Sequence, residues 1–469
     1  MCALRRNAIV AAGALAVGLA TLSSASTAAR DRNDEDAARW WKPPADVRRV
    51  LDQVDARSLE RYDRALAGFG TRHTLSTQDD PHRGIGAARD YIKRQFDQIA
   101  ATSGGRMTTE LQSYVQPPAS RIPRPTTITN VVATLHGTDP ASADRVYVVS
   151  AHYDSRRTDV LDGEGDAPGA NDDGSGTSAV LELARVMAAR PTEATIVFAA
   201  FAGEEQGLYG SNHFAELAKQ AGWNIQGVLN MDIIGSPVGG NGAQDPSTIR
   251  LFSEGVPTSE TPEQTARRQT IGGENDGISR QLARYVKETG ENSATQMRVK
   301  LVWRRDRFLR SGDQVPFLQR GWPGVRFTEP FENYDHQHQD VRVEDGKQYG
   351  DLPQFVDFRY LARVTRVVGS STAALARSPR APVNARVTTA QLSYDTELRW
   401  DPNSEPDVVG YEVVWRDSTE PLWTSARGFG NVTTATIPGL NKDDYQVGVR
   451  AIDRDGNRSP VAYPIPANQ

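Results

Sequence analysis

Five short stretches of the 469-residue chain carry residue types from which a metal centre can be built. His152 follows the apolar run Val146–Ala151 and precedes Tyr153, Asp154 and Ser155. A histidine at the mouth of a strand, with a carboxylate two residues on, suits a metal ligand whose second ring nitrogen is oriented by Asp154. Gly169-Ala170-Asn171-Asp172-Asp173-Gly174-Ser175-Gly176 is a glycine-rich acidic loop that opens a helix. Taken alone, it reads equally as a surface turn with Ser175 as helix cap. Glu204 and Glu205 follow the run Thr195–Phe201, and Asp232 follows the run Gln226–Met231. Late in the chain, Asn333 to Asp340 offers His336 and His338; in an extended segment these point to opposite sides, so one of the two serves as a ligand.

Residues of these types at one shared edge suit two Zn2+ ions. Two such ions, about 3.5 to 4 Å apart, need a bridging carboxylate, further His, Asp or Glu ligands on each side, and one unligated carboxylate to take a proton from water. His152, Asp172, Glu204, Glu205 and Asp232 supply these parts except a last histidine, which the late pair adds. Magnesium would ask for more oxygens and no histidine. The single cysteine is Cys2, so thiolate ligands, a cysteine nucleophile and disulfides are excluded once the first residues are removed.

The elements needed to bring these residues together are legible in the spacing of apolar positions. Strands are predicted at Thr129–Leu135, Val146–Ala151, Thr195–Phe201, Gln226–Met231 and Val325–Thr328, with helices over Thr177–Ala189 and Leu208–Gln220. Such alternation predicts an α/β domain with a mixed, largely parallel sheet flanked by helices, which binds ligands beyond the carboxyl ends of its strands. Before it, Val50, Leu51, Val54 and Leu59, then Ala87, Tyr91, Ile92, Phe96 and Ile99, have helical spacing. A composition shift over residues 377–382 predicts a linker. Beyond it, residues 383–469 hold short alternating stretches, Glu397–Trp400, Gly410–Trp415, Thr433–Ile437 and Tyr445–Ala451, which predict an all-β sandwich.

The chain begins differently. Arg5 and Arg6, the apolar run Ala8–Leu22 and the small residues Ser23–Ala29 predict a secretory signal peptide over residues 1–29, hence a secreted or periplasmic protein that is not an integral membrane protein after cleavage. Residues 30–46, with a charge run from Arg30 to Asp36, predict a loose leader. With 54 Lys plus Arg against 59 Asp plus Glu, a net charge of -5 and no basic stripe, nucleic acid is excluded as a main partner.

His152 to Ser155, Gly169 to Gly176, Ala202 to Leu208, Leu229 to Gly235, and Ser311-Gly312-Asp313 followed by the late histidines together resemble the secreted bacterial di-zinc aminopeptidases of metallopeptidase family 28. The resemblance spans residues 47–376 and implies a zinc-exopeptidase-like fold and peptide substrates. It implies that Asp172 bridges the metals, that His152 and Asp232 complete one site, and that Glu205 and a late histidine complete the other. Glu204 would be the general base, with Asp154 behind His152. His338 is the expected ligand from its distance to Asn333-Tyr334, whereas counting back from Asp340 favours His336. Family members often carry a tyrosine directly before that ligand; here Gln337 precedes His338, which leaves Tyr334 as a candidate to stabilise the oxyanion. Relatives with the same metal shell act as carboxypeptidases or dipeptidases, or as glutaminyl cyclases, and a receptor-like protein without metals is the non-enzymatic alternative. The C-terminal segment resembles a fibronectin type III domain, with Trp400 in its core and Tyr445 at its corner, suited to surface or glycan contact; the whole is expected to be a monomer. His73, His82, His136 and His213 lie outside the motifs and are expected to be structural or at the surface.

Overall fold

The protein is described by a computed structural model over residues 41–308, 310–390 and 392–467. The expected signal peptide and most of the leader lie outside the described residues. Among the described residues no helix is long and apolar enough to cross a membrane.

Three helices come first, α1 (Ala45–Leu51), α2 (Ala56–Ala67) and α3 (Gly84–Ala100), then the antiparallel pair β1 (Met107–Gln116) and β2 (Thr126–Leu135). The central run is β3 (Arg145–His152), α4 (Ser175–Ala188), β4 (Thr195–Phe201), the single turn α5 (Glu204–Gly207), α6 (Tyr209–Gln220) and β5 (Asn224–Met231). It continues with β6 (Thr248–Ser253), α7 (Pro262–Thr270), α8 (Ile278–Gly290), β7 (Arg298–Val302), α9 (Val315–Gln319) and β8 (Gly324–Thr328). A small hairpin, β9 (Arg342–Glu344) with β10 (Lys347–Tyr349), precedes the long helix α10 (Phe358–Arg377).

One eight-stranded sheet has the order β1-β2-β4-β3-β5-β8-β6-β7. Its centre, β4-β3-β5-β8, is parallel, and antiparallel pairings at β2/β4 and β8/β6 flank it. Every residue of β3 and β4 is buried, as expected of parallel strands covered by helices on both faces. The strand period of two separates their side chains. Tyr147, Val149 and Ala151 join the larger core with α1 to α4, α8 and α10, while Val146 and Val148 pack with Phe201, Phe214 and Phe317 beneath α6 and α9. Trp41 and the buried face of α1 belong to the larger core, so the fold begins a few residues before position 47.

The C-terminal region adds β11 (Arg386–Val387), β12 (Thr396–Arg399), β13 (Val408–Asp417), β14 (Ser425–Gly430), β15 (Thr434–Ile437), β16 (Tyr445–Asp453) and β17 (Ile465–Pro466). They form a four-stranded sheet, β15-β12-β11-β17, and a three-stranded sheet, β14-β13-β16. Leu398, Trp400, Tyr411, Val413 and Val449 share one core between them, with Trp400 tilted against Tyr411 at 5.1 Å. The crossover from α10 is held rather than loose: Arg145 donates to the Ser378 carbonyl at 2.6 Å, and Asn403 to the Arg380 carbonyl at 2.9 Å.

Candidate metal centre

Strands β3, β4, β5 and β8 end at one edge of the sheet, and each delivers chemistry to it. His152 is the last residue of β3. Its Nε2 lies 3.3 Å from Asp172 Oδ1 and 3.8 Å from Asp232 Oδ1. Its Nδ1 faces the Asp154 backbone carbonyl at 3.1 Å, with the Asp154 carboxylate farther away at 3.5 Å. That carboxylate has other partners: it accepts the backbone N–H groups of Glu204 and Glu205, both at 3.2 Å, and the Thr74 hydroxyl at 3.0 Å. Asp154 therefore orients the pair of glutamates at the start of α5 at least as directly as it orients His152.

Asp172 sits in the loop between β3 and α4. Gly169 there has φ of 52°, and a Cβ would meet the Ser155 Cβ at 2.5 Å, so conformation and space both demand glycine. The loop is fixed from two sides. Asp351 accepts the N–H of Asn171 at 2.9 Å and of Asp172 at 2.7 Å. Arg72, fully buried, donates to the carbonyls of Gly169, Tyr153 and Pro168. Asp232, just beyond β5, receives the Arg326 guanidinium at 2.9 Å, and Arg326 reaches from β8.

Of the two late histidines, the structure brings His338 to the centre. Its Nε2 is 2.8 Å from Asp172 Oδ2 and 2.9 Å from Glu205 Oε1. His336 instead stacks on Phe355, with ring centroids 3.7 Å apart. Gln337, between them, donates to Asp172 Oδ2 at 3.0 Å. The remaining histidines stay out of the centre: His73 is buried against the Val160 carbonyl, His136 contacts Thr108, His213 stacks on Tyr114, and His82 is exposed.

The side chains fall into two neighbouring groups, His152 with Glu204 and Asp232, and Asp172 with Glu205 and His338; within each, the potential ligand atoms lie within 4.8 Å of one another. Asp172 faces both groups, one oxygen toward each histidine. The donor set fits cations. His338 Nε2 and Glu205 Oε1 are buried with no well-angled hydrogen bond although they are in contact, as when lone pairs converge on a common point.

The electrostatics agree. Burial would raise the Asp172 carboxyl, but His338 and His152 hold it well below its ordinary range. Asp232 is likewise held down against burial, by Arg326 first. Burial pushes Glu204 well above the usual carboxylate range, and Asp232, Glu205 and Asp313 add to the push against the opposing pull of His152. Asp313 is raised by burial to about 7, and Asp351 by burial to about 6. A cleft of about 810 Å3 opens over the centre, lined by Asp172, Glu204, Glu205, Asp232 and His338 together with Arg121, Arg156, Arg307, Arg310 and Tyr334.

Sequence reasoning missed Asp351, Arg72 and Arg326. Arg326 carries a signal in retrospect, because a charged residue between Val325 and Phe327 in an apolar strand must find a buried carboxylate. Asp351 has no local signature.

A sheet with a parallel centre that gathers histidines and carboxylates from its strand ends into one cleft defines a domain of the zinc-exopeptidase-like class. The chain belongs to peptidase family M28: residues 130–345 match that family, and whole-chain relatives extend the match. A "probable zinc metalloprotease" of Leptosphaeria maculans is 48% identical over 424 residues, covering 90% of this chain and 98% of the relative. Another, of Pyricularia oryzae, is 50% identical over 431 residues, covering 90% and 85%. These relatives are fungal, so the expected bacterial kinship is not borne out. Among solved structures, the LapA aminopeptidase of Legionella pneumophila superposes with a TM-score of 0.51 over 72% of this chain and 77% of its own; at 17% identity this likeness concerns the fold.

Proposed function

We propose that the protein is a secreted zinc-dependent aminopeptidase that holds two Zn2+ ions and releases the N-terminal residue of peptides. The observation that carries the reading is the position of Asp172, whose two carboxylate oxygens face His152 Nε2 at 3.3 Å and His338 Nε2 at 2.8 Å. A carboxylate so placed suits a bridge between two ions. His152 and Asp232 would complete one site, and Glu205 and His338 the other. Glu204 is then the carboxylate left free, because the first group already has three ligands once Asp172 is counted. Zinc is favoured over magnesium by the two histidines.

Bound zinc would supply Lewis acidity, polarising the peptide carbonyl and easing deprotonation of water. The protein's own residues handle the proton. Glu204 takes it from the attacking water as the oxygen bonds to the carbonyl carbon, then passes it to the departing amine nitrogen as the C–N bond breaks. In the bare chain, burial and the neighbouring acids raise its affinity for a proton. Asp154 holds its backbone, Arg326 holds Asp232, and Asp351 holds the Asp172 loop. The cleft volume of about 810 Å3 suits a short peptide rather than a folded protein.

The export reading rests on Arg5, Arg6 and the run Ala8–Leu22. The C-terminal region suits a fibronectin type III-like module, on the strength of its four-plus-three sheet pairing and buried Trp400, and surface or glycan contact remains its proposed role. The test is metal content of the purified chain, with release from leucine p-nitroanilide before and after chelation. Near two zincs per chain and chelator-sensitive release are expected. Zinc without release would move the activity to a carboxypeptidase or dipeptidase, and a chain that takes up no zinc would overturn the reading.

A further inference from the structure

The cleft is walled by a second kind of residue that hydrolysis as described does not use. Arg121, Arg156, Arg307 and Arg310 all line it. Arg307 and Arg310 share Glu332, at 3.1 and 2.8 Å, and the same carboxylate also takes Arg250 at 3.0 Å. Arg307 also meets Asp306 at 3.4 Å and Asp232 at 3.9 Å, so these arginines are answered by carboxylates. Arg121 and Arg156 differ again. Arg121 Nη1 donates to the Glu205 carbonyl at 2.9 Å, and Arg156 donates to the carbonyls of Arg157 and Thr158 at 3.2 and 3.4 Å. Among the described residues neither forms an ion pair with a carboxylate, whereas the adjacent Arg157 pairs with both Asp162 and Asp340.

A backbone carbonyl orients a guanidinium without neutralising it. Each of the two arginines thus keeps its full charge and free N–H edges at the cleft, in a geometry that matches a carboxylate fork. The floor is negative in the bare chain, through Asp172, Glu204, Glu205 and Asp232. Two divalent cations would offset those four charges, and Arg121 and Arg156 then face a substrate without a carboxylate of the protein to answer them.

We infer that Arg121 and Arg156 receive a carboxylate of the substrate, so that the protein selects short peptides that carry an anionic group within the cleft. The inference rests on the aminopeptidase reading and specifies its substrate class. The carboxylate has two possible sources, the acidic side chain of the N-terminal residue or the C-terminus of a dipeptide.

Four peptides separate them: Glu-Ala-amide against Gln-Ala-amide for the side chain, and Ala-Ala against Ala-Ala-amide for the C-terminus. In one pair or both, the wild-type enzyme should favour the anionic member roughly ten-fold or more in kcat/KM, mainly through KM, as expected for charge-assisted hydrogen bonds. Arg121→Gln or Arg156→Gln should bring that ratio toward one, and the corresponding Lys variants should recover part of it. Calorimetric titration of the zinc-loaded Glu204→Gln protein with the same peptides reads the rim without turnover. Preference in binding without hydrolysis by the wild type would overturn the aminopeptidase reading alone. Equal affinity within both pairs, or a preference that neither Gln variant alters, would overturn the inference.

Discussion

The protein buries charge in two places, and the two are built on opposite plans. At the seam between the peptidase domain and the C-terminal sheets, Asp276 meets Arg284 at 3.2 Å and Arg416 at 2.6 Å, while Arg450 bridges Glu288 at 3.0 Å and Glu412 at 2.6 Å. Trp423 packs beneath Arg284 and Arg416, with ring centroids 5.7 and 5.3 Å from the guanidinium carbons. Each of these three carboxylates has an arginine and each of these three arginines a carboxylate. At the strand ends Asp154, Asp172, Asp173, Glu204, Glu205, Asp232 and Asp313 crowd together, with Arg326, Arg307, Arg72 and two histidines to answer the seven of them. Balanced burial of charge is a structural solution. Burial of surplus negative charge makes sense when a cation completes it.

The sharpest way to break this comparison is at Glu204, which the proposed function leaves unligated. Glu204→Gln should keep both zincs and lower kcat by about 10²- to 10⁴-fold, the usual scale of a lost proton shuttle. Retained activity would return Glu204 to the role of a ligand or a bystander, and loss of zinc would do the same from the other side. The second test separates the late histidines. His338→Ala should lose about one zinc equivalent and most activity, whereas His336→Ala, which removes only a stack on Phe355, should keep its metal and lose less than about ten-fold. Equal loss in the two variants would show that the contacts of His338 do not define a site.

How much of this was legible beforehand follows the range of the interactions. Strands β3 and β4 are mainly apolar runs, a local pattern, and His152, Glu204, Glu205 and Asp232 are legible as polar residues at or just past the ends of β3, β4 and β5, whereas Asp172 is legible only from the glycine-rich acidic loop that opens α4. The choice between His336 and His338 was not local. It is decided by the left-handed turn at His338, with φ of 58°, and by Phe355 waiting for His336. Strands β6 and β7 and helix α8 were not predicted, being short or carrying arginines that bury only because Asp276 and Trp303 accept them. Asp351 holds Asp172 from 179 residues away, and no spacing in the sequence announces such a partner.

At the seam, Asp276→Ala would leave Arg284 and Arg416 facing each other without a counter-charge. Both are nearly inaccessible, and burial already lowers the Arg284 guanidinium to about 10. A loss of about 3–5 kcal/mol is expected, read as a lower urea midpoint with zinc content unchanged. An unchanged midpoint would mean that the C-terminal sheets are tethered rather than clamped.

One part of the seam departs from balance, and it offers the smallest and most diagnostic effect. Glu193, in the turn before β4, is raised to about 7, by burial first and then by Asp407 and Asp453 of the C-terminal region, with Arg145 opposing. The unfolded chain gives up this proton near 4.5, whereas the folded chain keeps it until about 7. Between those values the folded state binds more protons, so stability from this group falls as pH rises, and the deficit is complete above pH 7. Because Glu193 is only half-buried, solvent screening limits the effect to about 1 kcal/mol or less. Glu193→Gln should therefore match the wild type at pH 4, unfold at slightly higher urea at pH 8, and flatten the slope between. If the variant were instead less stable at pH 8, the Glu193 charge would have a partner at the seam, and balance would hold there without exception.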